Sequence, residues 1–166
     1  MAETLSYVFY DEATFTTSAG ELQLFATPLG ASGRTRYITN SPNNSSMKNN
    51  ESFTIERIRV WLDSIEIVAD LEKLLPQSYL RVLVKDKEVL ILPLALCAGG
   101  GAWQGEFHEA TNTLGRLINF AGDGFKLDIP IVIPKGEKFE LYIGQGTALA
   151  NAAQIKVALL GRLTRE

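Results

Sequence analysis

The sequence predicts an all-β sandwich of antiparallel strands, and three observations carry the prediction. Phe125, Leu127, Ile129, Ile131 and Ile133 are apolar, with Lys126, Asp128 and Pro130 between them, and Phe139, Leu141, Ile143 and then Ile155, Val157, Leu159 alternate in the same way. A period of two over this length puts one face of each strand in a core and the other toward solvent or a partner. Turn chemistry separates such runs: Pro134-Lys135-Gly136-Glu137 is expected to fold one strand back on the next, and Lys85-Asp86 to close a hairpin between residues 79–84 and 87–92. Helical spacing is confined to residues 70–75, where Leu71, Leu74 and Leu75 recur, Asp70 is a candidate N-cap and Pro76 follows.

The remaining elements follow in order. Residues 5–10, 13–17 and 21–27 are rich in β-branched and aromatic side chains and read as the first strands or, across residues 1–27, as an N-terminal arm. Residues 35–39 form a further short strand candidate, and residues 40–51, dominated by Asn and Ser, read as an exposed polar loop. Residues 52–63 make a long strand with Ile58, Val60 and Leu62 on one face, whereas Phe53 and Ile55 fall on the opposite parity. That slip predicts a β-bulge or bend at Glu56-Arg57, a common way to turn a strand between packed sheets. Residues 65–68 extend this ladder after a kink. Ala98-Gly99-Gly100-Gly101-Ala102 forms a glycine-rich loop leading to Trp103, residues 113–120 read as a strand, and Gly122-Asp123-Gly124 turns into the next one. The total is about eight strands with one short helix in a connection, the number expected of a single jelly roll occupying residues 1–166 as one domain. There is no internal repeat of fixed period, which disfavours propellers and solenoids.

The totals bound the function. A chain of 166 residues with 46% hydrophobic content supports one full core. A net charge of -3 and a pI near 5.3 supply no global cationic field, which argues against nucleic acid as the main partner. The single cysteine, Cys97, lies among Leu94, Ala95 and Leu96 and reads as a buried thiol; it leaves no disulfide framework and no multi-cysteine zinc site. The start, Met1-Ala2-Glu3-Thr4, lacks the basic segment and apolar stretch of a secretory signal, and no apolar run approaches the roughly 20 residues that cross a bilayer. Synthesis in a cytoplasm is expected.

Reaction chemistry finds little support in the residues. His108, the one histidine, stands in Glu106-Phe107-His108-Glu109, where a lone imidazole between carboxylates is a weak metal signal and a solvated loop the plainer reading. Neither Gly99-Gly100-Gly101 nor Gly144-Gln145-Gly146 is followed by the lysine and hydroxyl of a phosphate loop. Asp63, Asp70, Asp123 and Asp128 match no calcium-loop spacing. Serine chemistry lacks a histidine signature, and the acids that a carboxylate-pair enzyme would need mostly alternate with core residues, as on the wet face of a sheet. No catalytic residue, cofactor or metal is therefore expected. Trp61 stands out because it has the opposite parity to Val60 and Leu62 and so faces outward, where exposed aromatic area marks a partner or ligand contact, or covers another part of its own chain. Trp103, beside the glycine loop, is a second contact candidate.

The pattern resembles the jelly-roll capsid proteins of tailless icosahedral, often lipid-containing, bacterial viruses. The likeness is carried by Arg36-Tyr37-Ile38-Thr39-Asn40, the polar loop and the strand from Ser52 to Val60; by Lys85-Asp86-Lys87-Glu88 leading into Leu92-Pro93-Leu94 and the glycine loop; and by Ile131-Val132-Ile133-Pro134-Lys135-Gly136-Glu137-Lys138-Phe139 with the closing Leu159-Leu160-Gly161-Arg162-Leu163-Thr164-Arg165. The resemblance implies a virion structural protein without catalytic residues, made in the host cytoplasm. Its partners would be copies of itself and other capsid proteins, with an underlying lipid membrane or the viral genome as further neighbours. Many relatives in that lineage carry two jelly rolls, whereas this chain has room for one, so a major, minor or decoration role fits alike. Arg162 and Arg165 become candidates to face genome, lipid headgroups or an adjacent subunit. Two competing readings stand beside it: a carbohydrate-binding or receptor-binding module using Trp61 and Trp103, and a small carboxylate-dependent glycan-acting enzyme.

Overall fold

The computed structural model describes residues 2–15, 18–41, 43–64, 68–98, 103–108, 113–119 and 123–166. In chain order the elements are β1 (Glu3–Phe15), β2 (Gly20–Leu24), β3 (Glu51–Ser64), α1 (Val68–Leu74), β4 (Ser78–Val84), β5 (Lys87–Pro93), α2 (Leu94–Cys97), β6 (Trp103–His108), β7 (Thr113–Asn119), β8 (Phe125–Ile133), β9 (Phe139–Gln145) and β10 (Ala153–Arg165). One sheet has the order β1-β10-β3-β8, the other β2-β9-β4-β5, and β6 with β7 forms a separate hairpin inserted in the connection from β5 to β8. Within the sandwich, β1 pairs with β10, β2 with β9, β3 with β8 and β4 with β5, all antiparallel. This is one long hairpin rolled up so that β10 also meets β3 and β9 also meets β4, which is the jelly-roll arrangement.

The inner faces are the apolar rows of the alternation. Leu80, Val82, Leu141, Ile143, Ile155, Val157 and Leu159 are buried between the sheets. Four phenylalanines from different strands and one connection close the core: the Phe9 ring meets Phe53 edge-on at 4.8 Å, and Phe25 lies 5.6 Å from Phe139. Edge-to-face and tilted packing of this kind favours the rings beyond their burial alone.

The predicted phase slip in β3 is a bulge. Leu160 pairs with Arg57 and Gly161 with Ile55, so Glu56 has no partner on β10, and β8 shifts register at the same place. The extra residue restores Ile58 and Val60 to the face that Phe53 and Ile55 already occupy, and all four are buried. Gly161 makes the bulge possible, because a β-carbon there would lie 1.8 Å from the Thr54 carbonyl oxygen.

Several expectations need correction. Of the two readings of residues 1–27, the first strands rather than an arm hold, with residues 5–10 and 13–15 merged into one continuous strand paired residue for residue with β10. Residues 35–39 are a helical turn, with the N–H groups of Ile38 and Thr39 both donating to the Thr35 carbonyl. The Asn/Ser-rich loop is exposed at Asn44 and residues 48–50, as expected, but it is also tied down: Ser41, Ser45 and Met47 are buried, Ser46 bridges to Lys138, and the Phe139 N–H donates to the Ser45 carbonyl. Its polarity reflects backbone work at the end of the second sheet. The Pro134–Glu137 turn does not make a hairpin, because β8 and β9 belong to different sheets; the turn carries the chain across the sandwich. Asp70 lies inside α1 and is buried, and its carboxylate accepts from the Ala150 and Asn151 N–H groups, holding the β9–β10 connection where an N-cap was expected. A second helical turn, α2, was not anticipated; it buries Leu94 and Cys97, and burial pushes the Cys97 thiol up to about 12. His108 ends strand β6 where a loop was expected. The hairpin at Lys85-Asp86 is as predicted, with φ of 54° and 60° at the two turn residues, as in a type I′ turn. Ile65, Glu66, Ile67 and the Gly99–Gly101 loop lie outside the described residues.

The β2–β3 connection is pinned to β1 by one carboxylate. Asp11 points into the sandwich and is 1% exposed; it accepts from the Phe25 N–H at 2.5 Å and from Arg34 at 3.0 Å. Burial raises the Asp11 carboxyl above its usual 3.8, against the opposing pull of the Phe25 N–H and Arg34. Next to it the Asn40 amide takes a strand's place along the β1 edge, accepting from the Tyr10 N–H at 2.8 Å and donating to the Val8 carbonyl at 2.6 Å.

Two stability predictions follow from these contacts. Gly161→Ala lowers unfolding free energy by about 3 kcal/mol, because the Thr54 backbone must retreat; urea unfolding measures this. Because the folded pKa of Asp11 is raised, its contribution is fully present below 3.8 and is lost as pH rises through the folded value. Arg34 offsets that loss, so Arg34→Met costs about 1–3 kcal/mol at neutral pH, and the deficit fades as Asp11 protonates. Urea midpoints of both proteins across a pH series check the sign.

Candidate functional site

The outward residues of the first sheet form a mixed charged face around Trp61. The register puts Trp61 beside Lys156, Arg59 beside Ala158, and Arg57 beside Leu160. The Arg59 guanidinium lies 6.0 Å from the Trp61 ring centroid, and Lys156 pairs with Glu12 at 3.2 Å. Trp61 is outward, as its parity predicts, and half-buried by these neighbours. The bulge that displaces Glu56 from the ladder turns it toward Arg162, with 2.7 Å between carboxylate and guanidinium, and Arg57 reaches Asp123 at 3.6 Å. A concavity of about 710 Å³ opens on this face where β8 leaves β3, lined by Val8, Glu56, Arg57, Lys126, Asp128 and Leu160 among others.

The four residues singled out from sequence do not converge. Trp61 and Arg162 share a face, but their rows are six residues apart along β10, roughly 20 Å. Arg165 clamps the chain end onto the start of β3 through Glu51 at 2.9 Å, a structural role with half the side chain covered. Trp103 opens β6, whose side chains lie outside the described part of the structure, as does the side chain of His108.

A better organised array lies on the outer face of the second sheet, and sequence reasoning missed it. The Tyr79 ring covers Gly144, where a β-carbon would come within 2.1 Å of the ring, and its hydroxyl donates to Glu21 at 2.6 Å. Arg81 donates to the other Glu21 oxygen at 2.7 Å and stacks over Tyr142, 4.9 Å from the ring centroid. Three strands, β2, β4 and β9, thus contribute to one rigid set of aromatic faces and paired charges. The hydrogen bond to Glu21 raises the Tyr79 hydroxyl above its usual 10.0, and burial followed by Glu140 raises that of Tyr142. Alternation with Leu80, Val82 and Leu141 marks these side chains as outward, but only the rolled topology brings residue 21 beside residues 79 and 144.

The third feature is the side of the sandwich where β5 and β8 are the outermost strands. Of the eight described large apolar side chains that are exposed, four lie on these two strands: Val89 and Ile91 on β5, Ile129 and Val132 on β8. A groove of about 720 Å³ runs between the two strands, floored by Leu90, Leu92, Phe125 and Ile131. Ile129 corrects the core reading: it has the parity of Leu127 and Ile133, yet it is 83% exposed. Residues 127–130 have no register partner on β3, so this stretch of β8 stands off the sheet.

Among the described residues no helix is long and apolar enough to cross a membrane, and no group of three or more metal-ligating side chains forms. Compared with known proteins, the chain matches no family model and no curated sequence.

The aromatic array has a direct spectroscopic check. Glu21→Gln removes the charged acceptor, so the Tyr79 hydroxyl titrates closer to 10.0, read as a tyrosinate absorbance shift; an unchanged titration would place Tyr79 away from Glu21 in solution.

Proposed function

We propose that the protein is a virion structural protein, a capsid subunit that assembles with copies of itself or with other shell proteins into an icosahedral phage shell. The observation that carries this reading is the strand order, β1-β10-β3-β8 against β2-β9-β4-β5, since viral capsid domains are prominent users of the jelly roll. The support is one of fold analogy. A shell tile needs a stiff body and sides that meet neighbours. The sandwich supplies the first through long paired strands, and the contrast between the partly capped β1 edge and the exposed apolar side chains of the β5–β8 edge fits the second. The mixed charged face around Arg57, Arg59, Lys126 and Arg162 suits contact with an anionic or oppositely patterned neighbour.

A second reading is favoured by the Tyr79–Arg81–Tyr142 array. Aromatic faces held rigid by Glu21 resemble the platforms on which sugar rings stack, and jelly rolls also occur among lectins. A glycan-binding head would use this face or Trp61.

Light scattering of size-fractionated protein with electron microscopy of the peaks separates the two. Rings, sheets or shells are the expected outcome. A strict monomer that binds glycans, with loss of binding in Tyr142→Ala or Trp61→Ala, would overturn the capsid reading.

A further inference from the structure

We propose that the bare β5–β8 edge is where two copies of this chain meet, side by side about a two-fold axis that passes near Leu127. The inference rests in part on the assembly reading and gives it a specific contact. Three observations lead to it. First, Ile129 has the core-facing parity of Leu127 and Ile133, yet it is 83% exposed in the stretch of β8 that has no partner on β3, so the apolar row continues past the end of its own core. Second, on the opposite side of the same sheet the Asn40 amide caps the β1 backbone at Val8 and Tyr10, whereas this side carries Val89, Ile129 and Val132 exposed along a groove of about 720 Å³. A patch so grouped marks an interaction surface.

Third, the charges on β8 are complementary to themselves. Lys126 and Asp128 flank Leu127 on the outer face, and both are exposed. If two β8 strands approach antiparallel about Leu127, each Lys126 stands opposite the other copy's Asp128. On the inner face each Ile129 then stands opposite Phe125, itself only partly buried. Opposite charges directly across a strand pair favour this register, and like charges oppose its alternatives. An isologous contact of this kind closes on itself at two copies. Pro130, with no N–H to give, and the departure of residues 127–130 from β3 keep the paired stretch short and disfavour strand addition beyond it.

Charge reversal tests the geometry, using exposed positions that leave the core intact. Lys126→Glu sets carboxylates against carboxylates, Asp128→Lys sets ammonium groups against each other, and the double variant restores opposite charges. Light scattering across a concentration series is expected to show self-association of the wild type, weakened about tenfold or more in each single variant and recovered in the double variant. Ile129→Asp should weaken it without rescue. If the wild type associates and all four variants match it, this edge is overturned while assembly through another surface stands. A dimer with the reversal-and-rescue pattern but no larger assembly supports the edge and removes the shell reading. A wild type that is monomeric at every concentration overturns the contact.

Discussion

The central position of β10 is the constraint on which the rest of the structure depends. Every residue of β10 has a partner on β1, and nearly every one has a partner on β3 as well, so the last strand of the chain is the interior strand that completes the first sheet. Its inward row of Ala153, Ile155, Val157, Leu159 and Leu163 is buried against the second sheet. Gly161 interrupts that row where the β3 bulge brings the Thr54 carbonyl too close for a side chain. The fold therefore cannot form by adding neighbours in order. Residues separated by most of the chain must meet to complete the first sheet, an arrangement of high contact order and correspondingly slow closure.

Closing the roll creates two unlike sides. On the β1 side, polar groups of the β2–β3 connection replace a missing strand, and Asp11 holds that connection by accepting from Phe25 and Arg34. Burial raises the carboxyl and makes its ionised form costly, yet it still satisfies a backbone N–H that would otherwise be left unpaired in the interior. On the β5–β8 side nothing comparable is seen among the described residues, and the apolar row runs outward to Ile129. An edge strand with Lys126, Pro130 and a stretch lifted off its neighbour resists indiscriminate strand addition while leaving side chains free for a specific contact.

The outer faces divide their labour. The first sheet spreads cations and carboxylates in pairs along its outer face, from Lys156 and Glu12 beside Trp61 to Arg162 and Glu56 roughly 20 Å away. The second sheet concentrates tyrosines, Arg81 and Glu21 into one locked array. Its rigidity comes from Gly144, whose missing side chain lets Tyr79 cross to the next strand but one. Such order on a solvent face adds little stability through its exposed ion pair.

By itself the sequence determined the fold class, the hairpin at Lys85-Asp86, the bulge at Glu56 and the outward placement of Trp61. These are local facts: the period of two, a phase slip and turn residues are written within a few positions of one another. What only the tertiary structure decided is which strands are neighbours. That pairing turned Pro134–Glu137 from a hairpin into a crossing between sheets, made an Asn-rich loop a structural cap, and placed Asp70 on the backbone of residues 150 and 151. It also left Ile129 uncovered, because alternation reports which face a side chain takes but not whether another element lies over it. The Glu21–Tyr79–Arg81 array was hidden for the same physical reason: its members are brought together by antiparallel pairing across some sixty residues of chain, a distance no local pattern spans.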